Sequence, residues 1–177
     1  MEDESSIPGT RYPILPLPHI PEQTELIEIG PITVGIGYRL LNDETAGEYL
    51  REVRYNPRPE EGDDGYRNAG TDDAGVCIHV FGNETGDLLE YFRFDCFEAE
   101  PHYHYVYQDE QAQRRVFLDP VLEGDPKGWA LDRLRTRLPE ILRSVGATDL
   151  AERVDVRQVA EAIPQIEAAI ERARSHA

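Results

Sequence analysis

The most constraining feature of this 177-residue sequence is a regular alternation of side-chain types between residues 92 and 107. Residues 92–97 read Phe-Arg-Phe-Asp-Cys-Phe, and residues 102–107 read His-Tyr-His-Tyr-Val-Tyr. A period of two is typical of β-strands, because successive side chains point to opposite faces of a sheet. Two such segments with a short connection predict an antiparallel pair that has one aromatic face and one polar face.

Pairing across this hairpin brings polar side chains together. With residues 98–101 as the connection, Phe97 lies opposite His102 and Asp95 lies opposite His104. A further strand at residues 113–118 extends the meander. The polar face then carries six ionisable side chains: Arg93, Asp95, His102, His104, Arg115 and Asp119.

A strand at residues 76–81 begins the meander, and its register decides where His79 points. A plain even-length turn after it would direct three aliphatic side chains to the polar face, where their burial is lost. Gly86 as the left-handed residue of a bulge reverses the parity. We therefore expect His79 to lie on the same face as Asp95, His102 and His104.

Three histidines and one carboxylate are the residue types that bind zinc or iron. A metal site on this face would use His79, His102, His104 and Asp95. Without a metal ion, His102, His104, Asp95 and Arg93 would suit acid–base catalysis on a phosphodiester, because a histidine accepts the 2′-hydroxyl proton while an arginine stabilises the developing charge. A solvated polar strand face without activity is the third interpretation, and the sequence leaves all three open.

The chain divides into an arm and one domain. Residues 1–23 are dense in proline with apolar residues between, which predicts an extended segment along a surface. Residues 24–177 are predicted to form a single domain. It begins with a period-two strand from residue 32 to 40 and a segment at 45–54 that is either helix or strand. An acidic loop at 56–74, a β meander at 75–119 and a helical part at 125–175 follow.

Two helices are predicted at the C-terminal end. Asp125-Pro126 is typical of a helix start, and a second apolar stripe begins near Asp155. Pro139 and Pro164 are expected to kink or split these helices. The order of elements predicts an α+β fold, an antiparallel β meander with two C-terminal helices packed on one face. The last stripe would form core, or a surface for self-association or a protein partner.

Composition limits the location and the partners of the protein. The 35 acidic and 18 basic residues give a net charge of −17, which disfavours general nucleic-acid binding. Lys127 is the only lysine, as in proteins of a salt-rich cytoplasm, although a GC-rich genome also favours arginine. No apolar segment approaches the roughly 20 residues of a membrane helix. Cys77 and Cys96 predict buried free thiols, and we expect a soluble, cytoplasmic protein with no membrane contact.

Two short motifs carry a resemblance to known proteins. Arg93-Phe94-Asp95 followed by Pro101-His102-Tyr103-His104 resembles the small α+β toxins of the TumE-like class, in which an Arg-aromatic-Asp strand precedes a Pro-His-x-His turn and strand. Cys96-Phe97 replaces the asparagine-containing stretch of that class. The resemblance implies activity on RNA or translation. The RFDCF and PHYHY segments equally mark an uncharacterised prokaryotic domain family. If the acidic, lysine-poor composition reflects adaptation to salt, this family is expected to be haloarchaeal.

These observations lead to two functional hypotheses. The first is a non-catalytic binding or interaction domain, which would meet a protein partner through the sheet face or the C-terminal helices. The second is an enzyme, metal-dependent or ribonuclease-like, that uses the His/Asp/Arg cluster. The two differ in what they require of the cluster, because an enzyme needs these side chains to converge in a concave site.

Overall fold

The computed structural model describes residues 7–54, 72–83 and 86–176. Its centre is one antiparallel sheet of seven strands in the order β1-β7-β6-β5-β4-β3-β2. The strands are β1 (Thr10–Tyr12), β2 (Thr24–Ile29), β3 (Ile32–Leu41), β4 (Asp73–Gly82), β5 (Leu89–Phe97), β6 (His102–Tyr107) and β7 (Ala112–Phe117). The prediction of an antiparallel meander in an α+β fold is confirmed.

Five α-helices accompany the sheet within the part of the chain that the structure describes. They are α1 (Asp43–Glu52), α2 (Pro120–Glu123), α3 (Pro126–Ser144), α4 (Thr148–Arg153) and α5 (Val156–Ser175), with a 3-10 turn at Pro21–Gln23. The Asp125 carboxylate caps α3 by accepting the main-chain N–H of Gly128, as the sequence predicts. Pro139 and Pro164 lie inside α3 and α5, which continue past them, so of the two expected effects, a kink or a split, the split does not occur. The apolar packing of both helices against the sheet outweighs the lost hydrogen bonds.

Helices α3 and α5 cover one face of the sheet and form the main core with it. Val76, Ile78 and Val80 of β4 face this core, together with Phe92 and Phe94 of β5. The apolar stripe of α5 packs there as well, through Val159, Ile166 and Ile170 among others. Because this stripe is used in the core, self-association or partner binding through the C-terminal helices would have to use side chains outside the stripe. Such binding stays a prediction. None of the helices among the described residues is long and apolar enough to cross a membrane.

The parity predicted for β4 is confirmed. The bulge is at a different residue from the one predicted: the pairing of β4 with β5 shifts between Val80 and Phe81, so that Tyr91 and not Gly86 is the extra residue. Gly86, in the turn, has the expected left-handed conformation, with a φ of 83°. His79 therefore lies opposite Arg93 on the polar face.

The pairing of β5 with β6 differs from the predicted register by two residues. Asp95 lies opposite His102, and Arg93 lies opposite His104. A shift of two keeps every side chain on its predicted face. The connection is wider than expected because residues 98–100 turn back towards the start of β4, where Glu98 N donates to Ala74 O.

Asp119 does not lie on the polar face, contrary to the prediction. Strand β7 ends at Phe117, and the exposed Asp119 caps α2 by accepting the main-chain N–H groups of Val121 and Leu122. The period of two simply does not continue beyond the strand. In the acidic segment predicted at 56–74, β4 already begins at Asp73, and residues 56–71 lie outside the described residues.

The N-terminal arm crosses the whole polar face of the sheet. Strand β1 pairs with β7 at one edge and β2 pairs with β3 at the other, so residues 13–23 must span six inter-strand spacings, about 29 Å in all. Because Pro21–Gln23 form a 3-10 turn, residues 13–20 must be largely extended to cover that distance, which agrees with the proline content of the segment. The polar side chains of this face are buried, His79, Asp95, His102 and His104 among them, which overturns the interpretation of that face as solvated.

Specific contacts hold the arm in this position. Arg39 of β3 donates to the carbonyl oxygens of Leu17 and Pro18, and the Tyr49 hydroxyl of α1 donates to Leu15 O at 2.7 Å. A small second core joins the arm to α1; it contains Tyr12, Ile14 and Tyr49 with Leu17 and Leu50 at its margin.

Candidate metal centre

Three ionisable side chains converge under the arm. Asp95 Oδ2 lies 3.0 Å from His104 Nε2 and 3.3 Å from His102 Nε2. One potential ligand atom from each residue lies within 4.8 Å of the other two. The residues are 4–5 % exposed. The sequence brought all three to one face, and the structure brings their polar atoms to one point.

The far nitrogen of each imidazole is held by an oxygen acceptor. His102 Nδ1 lies 2.7 Å from the main-chain oxygen of Glu100, and His104 Nδ1 lies 2.7 Å from Gln113 Oε1. A carbonyl oxygen can only accept, so His102 Nδ1 carries a proton, and His104 Nδ1 does the same with the amide of Gln113 in this orientation. In the neutral rings each Nε2 then carries a lone pair instead of a hydrogen, and both lone pairs point at the Asp95 carboxylate. Only protons or a cation between these atoms make the arrangement favourable.

Asp73 shapes the connection that presents the Glu100 carbonyl. Its carboxylate accepts the main-chain N–H groups of Ala99 at 3.0 Å and Glu100 at 2.9 Å. The connection therefore has a fixed conformation, and with it the orientation of the His102 ring. Such an outer partner is the usual support of a metal-binding histidine.

Burial and the neighbouring charges set the protonation of the cluster. Burial alone would raise the pKa of Asp95, but the imidazoles of His102 and His104 beside its carboxylate and the charge of Arg93 hold it well below its usual range. Burial lowers the pKa of His104 to about 4, against the opposing effect of Asp95. The carboxylate is therefore ionised and His104 is neutral at neutral pH, which are the states in which both bind metal ions.

One oxygen of the cluster has no hydrogen bond among the described residues. Asp95 Oδ1 is buried and lacks a partner. Cys77 lies directly across from Asp95 on β4, and burial, aided by the Asp95 charge, raises the pKa of its thiol well above the usual value. A buried carboxylate oxygen without a partner is costly. Asp95 Oδ1 is therefore available as a second ligand atom for a cation.

His79 belongs to a second cluster on the same face. Its Nδ1 lies 2.5 Å from Glu90 Oε1, and Glu90 also accepts two hydrogen bonds from Arg93, at 2.9 and 2.7 Å. Burial alone would raise the pKa of Glu90, but Arg93 and His79 together lower it below its usual range. The group of three possible ligands does not include His79, and Arg93 serves as the counter-ion of Glu90.

Other residues of the face have roles that the sequence did not suggest. Arg115 donates to the Tyr12 hydroxyl at 2.9 Å. The sequence could have placed Gln113 on the polar face, because it lies two residues from Arg115 along β7 and therefore points to the same side. Glu90 joins the face only through the bulge at Tyr91, and Asp73 fell in the predicted loop, so neither carried a local signal.

The donor set suits a divalent transition metal. Two neutral imidazoles and one carboxylate are ligands of zinc and of non-haem iron(II), and the carbonyl-bound Nδ1 atoms supply the expected outer support. Fold and site together define an α+β domain with a buried carboxylate–histidine cluster on its antiparallel sheet.

Comparison with known proteins shows the family to which the chain belongs. The chain belongs to the family described as domain of unknown function (DUF7700), whose model matches residues 26–170. No curated protein and no solved structure matches the chain. The expectation of an uncharacterised domain family is confirmed. The matched range contains the three cluster residues and leaves out the whole arm.

Proposed function

We propose that this domain binds one divalent transition-metal ion, zinc or iron(II), at Asp95, His102 and His104, and that it is a binding domain rather than an enzyme. The observation that carries the proposal is the approach of two imidazole Nε2 atoms to one carboxylate oxygen, while carbonyl oxygens hold the opposite ring nitrogens. A metal ion satisfies all three atoms at once. A proton on each ring would instead place two imidazolium charges beside the buried Arg93.

Burial supports binding over turnover. Each of the three residues is at most 5 % exposed, and the arm covers their side of the sheet. A substrate would have to reach the ion past the arm, which Arg39 and Tyr49 hold through its main-chain oxygens. The ribonuclease-like alternative requires His102 or His104 at a phosphodiester, and it has the same obstacle.

Metal titration of the full chain tests the proposal. Chelator-treated protein is expected to bind one equivalent of Zn²⁺ in calorimetry, and Co²⁺ in its place is expected to give visible absorption bands of a low-symmetry site. Asp95→Asn and His102→Ala should abolish binding. His79→Gln is the matched control on the same face and should retain it. A wild-type protein that binds no Zn²⁺ or Co²⁺ would contradict the proposal.

Two further results have defined meanings. If His79→Gln abolishes binding as well, the four-residue set that the sequence predicted replaces the set of three. If metal-loaded protein cleaves RNA and His104→Ala does not, the enzyme hypothesis replaces the binding domain. We expect retained binding in the first experiment and no cleavage in the second.

A further inference from the structure

The other face of the sheet carries a cavity that the metal site does not use. Helix α3 packs over β5 and leaves the outer side of β6 partly open, and a cavity of about 340 Å³ lies between them. That volume is in the range of small-molecule sites. Its floor is aromatic; it consists of Phe92, Phe94, Tyr103, Tyr105 and Trp129.

The aromatic floor is a set of rings in mutual contact. Tyr103 lies 5.6 Å from Phe92 and 5.3 Å from Trp129 between ring centroids, with small interplanar angles of 28° and 30°. Tyr105 stands across Phe92 at 78°. Phe92 and Phe94 are fully buried, whereas both tyrosines are half-buried, so the tyrosine rings are the part that a ligand can contact. Flat rings in this position favour a planar aromatic ligand.

Two arginines lie on the rim of the cavity in a strongly acidic protein. Arg133 and Arg137 lie one helical turn apart on α3 and both line it. Arg133 lies over the Trp129 ring at 5.1 Å, and its Nη1 pairs with Asp132 Oδ2 at 2.9 Å, so an anion would bind its remaining N–H groups. Arg137 Nη1 lies 3.8 Å from Glu140 Oε1, too far for a hydrogen bond, so an anion competes readily for it. In a chain of net charge −17, two arginines beside an aromatic floor are a local exception.

Polar groups along the same helix extend the rim. Glu140 and Ser144 line the cavity beyond Arg137. Burial raises the pKa of both Tyr103 and Tyr105, so their hydroxyls stay protonated and can donate hydrogen bonds. The site thus combines ring faces, guanidinium donors for an anion, and a carboxylate that accepts from hydroxyl or amine groups.

We propose that this cavity binds a nucleoside monophosphate, with the base against Tyr103 and Tyr105 and the phosphate at Arg133 and Arg137. A phosphate matches two arginines at this spacing, because guanidinium groups bind it in a bidentate manner. The ribose and base supply the hydroxyl and amine donors that Glu140 accepts. The site is independent of the metal centre, which lies on the opposite face of the sheet.

Trp129 is the only tryptophan of the chain and lies in the cavity, so its fluorescence reports binding directly. Titration with adenosine 5′-monophosphate is expected to give saturable quenching, whereas inorganic phosphate alone should give none. Arg137→Ala should weaken the apparent affinity by about tenfold, the usual effect of losing one charged hydrogen bond. Tyr105→Leu, which keeps apolar volume but removes the flat ring, should weaken it as well.

Arg143→Ala is the matched control. Arg143 lies in the last turn of the same helix, is exposed and does not line the cavity. Its removal should leave the affinity unchanged. Absence of saturable quenching in the wild type overturns the proposal, and so does an equal loss in Arg143→Ala and Arg137→Ala, since a general charge effect would then explain it. Equal affinity for adenosine without phosphate overturns the role of the arginines.

Discussion

The carboxylate of Asp73 accepts the main-chain N–H of Glu100 at 2.9 Å, across the turn between β5 and β6. The carbonyl oxygen of the same Glu100 accepts from His102 Nδ1. One residue thus connects a side chain at the start of β4 with a candidate metal ligand on β6. A change at Asp73 therefore reaches the metal site without touching it.

Asp73→Ala is expected to weaken Zn²⁺ binding by about tenfold or more, because outer partners of metal-binding histidines have effects of that size. The unfolding free energy should also fall by about 1 kcal/mol, since the main-chain N–H groups of Ala99 and Glu100, both exposed residues, lose this acceptor. Calorimetry with Zn²⁺ and urea unfolding measure the two effects. Asp119→Ala is the control, because Asp119 also accepts main-chain N–H groups but caps α2. Equal Zn²⁺ affinities in the two variants would argue against a role of Asp73 at the site.

Glu90→Gln is expected to be strongly destabilising. Glu90 is the carboxylate that pairs with Arg93, and both side chains are buried, at 12 % and 2 % exposure. Removing one partner of a buried pair costs about 3–5 kcal/mol, because the other charge stays buried without compensation. Glu110→Gln, which breaks the more exposed pair with Arg11, should cost about 1 kcal/mol at most. Urea unfolding at pH 7 compares them, and similar losses would contradict this account.

The same cluster predicts how stability depends on pH. Burial, opposed by Glu90, lowers the pKa of His79 from 6.5, so the unfolded chain takes up a proton before the folded one does, and stability falls as pH drops below that value. The folded pKa of Glu90 is also below its usual 4.5, so its contribution is present above pH 4.5 and is lost as pH falls further. We expect a plateau above about pH 7 in unfolding experiments on metal-free protein. In His79→Gln the upper part of the decline should shrink, and an unchanged profile would exclude His79 as its source.

Arg39→Met is expected to loosen the arm and leave the sheet intact. The variant keeps an apolar stem but loses the donors to Leu17 O and Pro18 O. Faster hydrogen exchange at residues 10–19, and faster removal of bound metal by a chelator, are the expected results. Arg172→Met is a suitable control, because Arg172 binds Glu25 on the helix side of the sheet. If the arm exchanges equally slowly in both variants, Arg39 does not hold it.

Local patterns predicted the parts of this fold that depend on neighbouring residues. The alternation from Phe92 to Tyr107 separated the aromatic face from the polar face. Burial of the aliphatic side chains of β4 gave the side on which His79 lies, although the bulge that sets this parity is at Tyr91 and not at Gly86. The two-residue error in register left both results unchanged, because faces depend only on parity. The N-cap at Asp125 fixed the start of α3 for the same local reason.

Long-range contacts were beyond those patterns. The burial of Asp95, His102 and His104 follows from the crossing of the arm, and no local signal says that β1 and β2 lie at opposite edges of the sheet. Asp73 sat in a segment that reads as an acidic loop, and only the folded turn at Glu100 reveals its role. The sequence therefore indicated the three cluster residues together with His79, which pairs with Glu90 instead, and it did not indicate their shielding from solvent.

The path of the arm also has a consequence for the order of folding. Thr10 pairs with Arg115, so β1 can dock only after β7 exists, and the closure of so long a loop is slow relative to the hairpins between them. Until the N-terminal segment docks, the side chains of the cluster on the central strands are already together but exposed to solvent. On the proposed function, this interval gives a metal ion an open route to the cluster, in addition to the slower route that opening of the arm provides in the folded protein.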